Sequence, residues 1–127
     1  MNIEQAREVA SKALEHLSES LAQGESEALH NYLAAMGKFH HYSASNILLI
    51  ITQRPNATHV AGYRTWGKLH RQVRRGAKGI VIFAPLVRKT VYANECGIES
   101  ERERLVGYRA AVVFDVADTE GDPRLVV

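Results

Sequence analysis

Pro55 cuts this sequence into two textures. A proline denies the α region to the residue before it, so a helix that reaches Arg54 has to stop there. Upstream, apolar residues recur at helical spacing. Ile3, Ala6, Val9, Ala13, Leu14, Leu17 and Leu21 mark one face of a helix over Ile3–Ala22, which Gly24 ends. Ser26 caps a second helix with Leu29, Tyr32, Leu33 and Met36 on its inner face, and Gly37 ends or breaks it. A third helix starts at Ser43 or Ser45 and runs to about Gln53, with the run Ile47–Ile51 buried on most sides.

Downstream, short β-branched runs alternate with glycine turns. Thr58–Tyr63 reads as a short strand, and Thr65 as the cap of a short helix through His70. Gln72–Arg74 and Ile80–Val87 read as a hairpin around Arg75–Gly79, whose two glycines are the turn signal. Asn94–Arg104, polar and mixed in charge, reads as a mobile loop, and Leu105–Val116 as the final strand. Helices first and antiparallel strands afterwards predict an α+β fold, with N-terminal helices packed on a small antiparallel β-sheet. The 127 residues fit one domain. Residues 1–57 are mainly helical, 58–117 hold the short helix and the strands, and 118–127 form an exit linker.

No apolar run approaches the ~18–20 residues that cross a bilayer, and the N-terminus lacks the apolar region of a signal peptide. The single Cys96 makes no internal disulfide. The expected location is therefore the cytoplasm, with no membrane partner.

The net charge of +2 conceals a segregation. Between Ala28 and Asn94 there is no Asp or Glu, yet that segment carries ten lysines and arginines; all fourteen acidic residues lie in the flanks. A partner meets the local field and not the sum. Arg71, Arg74, Arg75 and Lys78 sit on and around one glycine turn, and such clusters bind phosphates by releasing condensed counterions. Gly76 and Gly79 let backbone amides approach an anion. Tyr42, Tyr63 and Trp66 interleave with Arg54, Arg64 and Lys68. Exposed aromatic faces stack the bases of single strands, which a duplex hides; a lone Trp66 is equally at home in a core. Ser43 lies in the stretch Tyr42–Asn46, where a helix begins whose N-terminus suits a phosphate. Asn46 and Gln53, two turns apart on one helix face, either read base edges or hydrogen-bond a neighbouring backbone.

Catalysis lacks its parts. The six histidines show no H-E-x-x-H spacing, one cysteine builds no zinc site, and the basic middle has no paired carboxylates. No catalytic residue, metal or cofactor is expected, and an enzyme fragment is the weakest reading. Asp115, Asp118, Glu120 and Asp122 read as a solvated linker.

The stretch Phe39–Pro85 resembles the N-terminal domain of the ArdC-type antirestriction proteins. The matching elements are Tyr42-Ser43-x-x-Asn46, Gln53-x-Pro55, Val60-x-Gly62-Tyr63-x-x-Trp66, Arg71-x-Val73-x-x-Gly76, Gly79-Ile80 and Ala84-Pro85. The ending Val112–Pro123 is similar to that domain's closing strand and exit. The resemblance implies a sequence-tolerant, single-stranded-DNA-binding domain without enzymatic activity. It also implies a mobile-element protein that counters host restriction, and a zinc metallopeptidase-like C-terminal domain in a longer form; the chain has no H-E-x-x-H of its own. On the single-strand-binding reading, Arg54, Arg64, Lys68, Arg71, Arg74, Arg75 and Lys78 hold phosphates, and Tyr42, Tyr63 and Trp66 stack bases. Ser43, Asn46 and Gln53 orient the strand or the loops around it, and the acidic helices and tail face away. His70 departs from the pattern: members often carry glycine there, which implies a different turn if the site needs a positive backbone angle. The competing reading is a protein-interaction module whose basic middle docks an acidic partner such as a restriction subunit.

Overall fold

A computed structural model describes residues 1–24 and 27–121. Helix α1 spans Ile3–Ala22 and opens with a capping box: the Gln5 amide donates to Asn2 Oδ1 at 2.8 Å, and the Asn2 amide donates to Gln5 Oε1 at 2.8 Å. Helix α2 covers Glu27–Lys38; the expected Ser26 cap lies outside the described residues. Helix α3 covers Ala44–Gln53, with Ser43 as its cap accepting from the Asn46 amide at 3.2 Å, and it ends at Arg54 as Pro55 requires. Strand β1 is Val60–Gly62 and helix α4 is Tyr63–Lys68. Gly62, not Thr65, stands at the N-cap of α4, so that helix starts earlier than the sequence suggested. Strands β2 (Arg71–Val73), β3 (Ile80–Ala93) and β4 (Glu99–Asp115) follow, then a 3-10 turn at Val116–Asp118 and strand β5 (Thr119–Gly121).

The architecture is α+β, with one antiparallel sheet in the order β1-β4-β3 and a two-stranded ladder of β2 and β5. Two expectations are corrected here. Arg71–Val73 does not pair with Ile80–Val87; it pairs with Thr119–Gly121, so part of the expected exit linker is a strand. The reason is that β3 has no edge left where β2 would dock. One edge pairs with β4. On the other, Gln53 accepts from the Val81 amide at 2.9 Å and donates to its carbonyl at 2.7 Å. Asn46 does the same for Phe83 at 2.8 and 3.0 Å. Helix α3 therefore lies along β3 where a fourth strand would be.

The second correction is at Asn94–Arg104, which is no loop beyond its first residues. Tyr92 pairs with Ser100, Val91 with Glu101 and Arg88 with Arg104, so β3 and β4 form one long hairpin. Its turn is held by Asn94, whose Oδ1 accepts from the Cys96 and Ile98 amides, both at 2.9 Å. Leu86 pairs with Gly107 and Val87 with Leu105, leaving Val106 as a bulge. From Pro85 outward the hairpin is an almost wholly exposed ribbon, roughly 30 Å long at strand rise.

The helices pack around the inner half of this sheet. Ala35, Phe39, Ile47, Ile50 and Ala57 bury Ile80, Ile82 and Val113 on one face. Ala6 and Leu49 bury Val81 on the other, with Val9, Phe83 and Ala110 partly covered. Because α3 sits at the sheet's edge, its side chains feed both clusters. Among the described residues no helix is long and apolar enough to cross a membrane.

Candidate nucleic-acid interface

The thirteen residues singled out in the sequence divide into a set engaged in bonds within the fold and a set left free on the surface. Trp66 is 3% exposed, and its Nε1 donates to the Phe114 carbonyl at 2.9 Å. Its ring belongs to the core and is not available for a base, which corrects the stacking role. Tyr42 is half-buried: its hydroxyl donates to the Val60 carbonyl at 3.2 Å and its ring meets Phe39 edge-on. Desolvation pushes its phenol pKa up. Asn46 and Gln53 spend their amides on β3, so of the two roles open to them the structural one holds. Ser43 caps α3.

Two of the basic residues are also engaged. Arg54 reaches Asp118 at 2.6 Å, and both side chains are largely covered. Arg71 donates through Nε to Thr119 Oγ1 at 2.8 Å and through an Nη to the Thr119 carbonyl at 3.2 Å. These two tie α3 and β2 to the segment following β4. Asp115, 2% exposed, does similar work. One of its oxygens accepts from the Thr58 and His59 amides at 2.9 and 3.3 Å, the other from the Ala117 amide at 3.1 Å. Asp115 and Asp118 are thus fastenings, not solvated linker charges; Asp122 lies outside the described residues. Sequence reasoning passed over Thr119, which is buried and serves as the partner of Arg71.

Besides the exposed cap Ser43, six residues lie on the surface: Tyr63, Arg64 and Lys68 on α4, and Arg74, Arg75 and Lys78 on the turn leaving β2. Tyr63 is 62% exposed. Among the described residues none of the five cations forms an ion pair. The turn is closed by the Ala77 amide on the Arg74 carbonyl at 3.1 Å, with Gly76 at φ +83°. Val113 pairs with both Gly62 and Ile80, so the chain entering α4 and the chain arriving from the basic turn meet the sheet in one row. Two strand spacings separate them, roughly 10 Å. A groove of about 570 Å³ runs between α4 and the β2–β5 ladder, with Tyr63, His70 and Gln72 on its wall and Glu120 as its carboxylate. His70 itself has φ +59°, so the positive backbone angle that glycine favours is adopted here by a histidine. No group of three His, Cys, Asp or Glu among the described residues is placed to hold a metal ion.

Residues 4–114 match the N-terminal domain of the anti-restriction factor ArdC. The chain belongs to the ArdC N-terminal domain family. No curated protein matches it. Among solved structures it is similar to the metal-free crystal structure of the antirestriction protein ArdC from plasmid R388, at 20% identity and a TM-score of 0.42. That similarity covers 62% of this chain and 29% of the plasmid protein, so the chain spans under a third of that relative's length. Within this ArdC N-terminal domain, the motif residues Tyr42, Asn46, Gln53, Trp66 and Arg71 all bond to other parts of the fold, and Ser43 caps its own helix. The elements by which the family is recognised are thus largely its fastenings, and the exposed cations lie between them.

Proposed function

We propose that the chain is a sequence-tolerant single-stranded-DNA-binding domain of a mobile-element antirestriction-type protein. The observation that carries this is the set Arg64, Lys68, Arg74, Arg75 and Lys78, exposed and unpaired with any described carboxylate, beside the exposed ring of Tyr63. The cations hold phosphates by counterion release. Of the three rings read as base-stacking from the sequence, Tyr63 keeps that role, since a stacking ring must present a free face. Membership of the ArdC family supports the antirestriction context. A metallopeptidase-like C-terminal domain in a longer form belongs to the same proposal, as does action in the cytoplasm.

The test is fluorescence anisotropy of a labelled oligonucleotide, single-stranded and duplex, across a salt series. Single strands bind more tightly, and the logarithm of affinity falls by about 0.7 per neutralised phosphate for each logarithmic unit of salt. Replacing Arg74 and Arg75 by Ser lowers that slope, and Tyr63→Ala weakens binding at every salt concentration. Equal binding of both variants and the parent sinks the reading. A loss with the arginine pair but none with Tyr63→Ala leaves a phosphate contact without base stacking, and a parent that binds neither single strand nor duplex transfers the surface to an acidic protein partner.

A further inference from the structure

The segment Glu99–Arg104 reads E-S-E-R-E-R, almost neutral as a string. In a strand the same string is polarised, because successive side chains point to opposite faces. Register assigns the faces, since directly paired residues share one. Arg102 pairs with Thr90, Arg104 with Arg88, Arg109 with Ala84, and Ser100 with Tyr92; these lie on the face of Ile80 and Ile82. Glu99, Glu101 and Glu103 pair with Ala93, Val91 and Lys89 on the other. From the Ala84–Arg109 pair outward, the hairpin thus has one face with four arginines and no carboxylate.

Two features of that face call for an anion. Arg88 and Arg104 stand directly opposite each other, an arrangement of like charges that weakens a strand pair. Among the described residues neither has an ion-pair partner, nor has Arg109. Arg102 and Arg104 repeat along the strand at ~7 Å, two residues of rise. Tyr92, 42% exposed, shares the face, with the Arg102 guanidinium 5.2 Å from its ring centre. A row of arginines beside an aromatic ring suits phosphates and one unpaired base, and a duplex offers no such base.

We infer that the arginine face of the β3–β4 ribbon is a second contact for single-stranded nucleic acid, separate from the α4 and turn surface. It rests on the single-strand reading above and extends it. Arg88 lies eight residues along β3 from Ile80, roughly 26 Å at strand rise. A short oligonucleotide therefore occupies one site, and a strand several times longer engages both.

The test compares the parent chain with Arg88→Ser/Arg104→Ser and with Glu101→Gln/Glu103→Gln, on a short and a long single-stranded oligonucleotide across salt. Circular dichroism and sedimentation accompany each protein. The arginine variant lowers the salt slope on the long strand by about 1.4, two contacts at ~0.7 each, while the glutamate variant keeps the parent's slope. The short strand, held at the α4 surface, changes less. A parent that binds long single strands and an arginine variant that matches it in affinity and slope overturn the ribbon contact but leave the α4 surface standing. A parent that binds no single strand at any salt overturns both. If the arginine variant alters only self-association, the face pairs with the glutamate face of a second copy, and the nucleic-acid contact is wrong. If Arg74→Ser/Arg75→Ser binds like the parent while the ribbon variant does not, the ribbon stands and the basic turn falls.

Discussion

Asn46 and Gln53 stand seven residues apart on α3, and their amides meet Phe83 and Val81, two residues apart on β3. Two helical turns advance about 10 Å and two strand residues about 7 Å, so two side chains can imitate the ladder of a missing strand. Each amide supplies a donor and an acceptor to a backbone that would otherwise go unpaired.

Asn46→Ala removes both partners of Phe83 at a site where Asn46 is 8% exposed. A cost of about 2–4 kcal/mol is expected from two buried backbone groups left unsatisfied. Urea denaturation checks it. DNA affinity per folded molecule stays unchanged, whereas a base-reading role for Asn46 predicts the reverse pattern. Combining it with Gln53→Ala tests whether the two amides act as a unit.

Trp66 and Tyr63, both assigned to stacking from the sequence, part company in the structure: Trp66 is 3% exposed and Tyr63 62%. Trp66→Ala opens the core beneath β4 and costs about 3–5 kcal/mol. Tyr63→Ala changes stability by about 0.5 kcal/mol or less, as exposed sites do, but weakens single-strand binding by about 1–3 kcal/mol. Thermal melts and anisotropy on the same preparations separate the two. Tryptophan emission, reporting a buried ring, moves little when DNA binds; strong quenching would mean that Trp66 leaves its pocket.

His70 occupies the left-handed region at φ +59°. Glycine relieves strain there but adds unfolded-state entropy, so His70→Gly is neutral or stabilises by up to about 1 kcal/mol. His70→Val puts a branched side chain where one is a true outlier and destabilises by at least about 1 kcal/mol. Gly121 tolerates less: its added Cβ would lie against the His70 carbonyl, so Gly121→Ala separates β2 from β5. Chemical denaturation gives the order His70→Gly, parent, His70→Val, with Gly121→Ala also below the parent.

Tyr42 makes stability depend on alkaline pH. Burial raises its pKa above the usual 10.0, so the folded state holds the phenolic proton more tightly than the unfolded chain. Its contribution is complete below pH 10.0 and is lost as pH rises through the folded value. Tyr42→Phe removes this part of the alkaline decline at the expense of one hydrogen bond to Val60. Urea midpoints of both proteins from neutral to strongly alkaline pH test it; parallel curves rule it out.

The helices were legible because their signals are local: periodic apolar residues, Ser43 as a cap, and Pro55 as a stop. The β3–β4 partnership was legible only in part. Leu105–Val116 announces itself through apolar residues, whereas E-S-E-R-E-R has the alternation of a strand without apolar residues to mark it. The β2–β3 hairpin was misread because its failure lies elsewhere in the chain, in two side chains of α3 that occupy the edge β2 would need. The basic residues were legible as a population and not as individuals: Arg54 and Arg71 look like Arg64 and Arg74 in sequence, and only Asp118 and Thr119, 64 and 48 residues on, separate them.

The placement of α3 along β3 bears on solubility. An uncovered strand edge is a template for another chain's strand, and proteins commonly blunt such edges with charge, proline or a covering helix. Here the inner half of β3 is covered by two amides on one ten-residue helix. Opening that helix locally, without unfolding the sheet, exposes the apolar Ile80–Phe83 edge while its partner strand stays in place. The route to intermolecular β-pairing therefore begins at α3, and substitutions that loosen its docking should shorten the protein's shelf life before they lower its melting temperature.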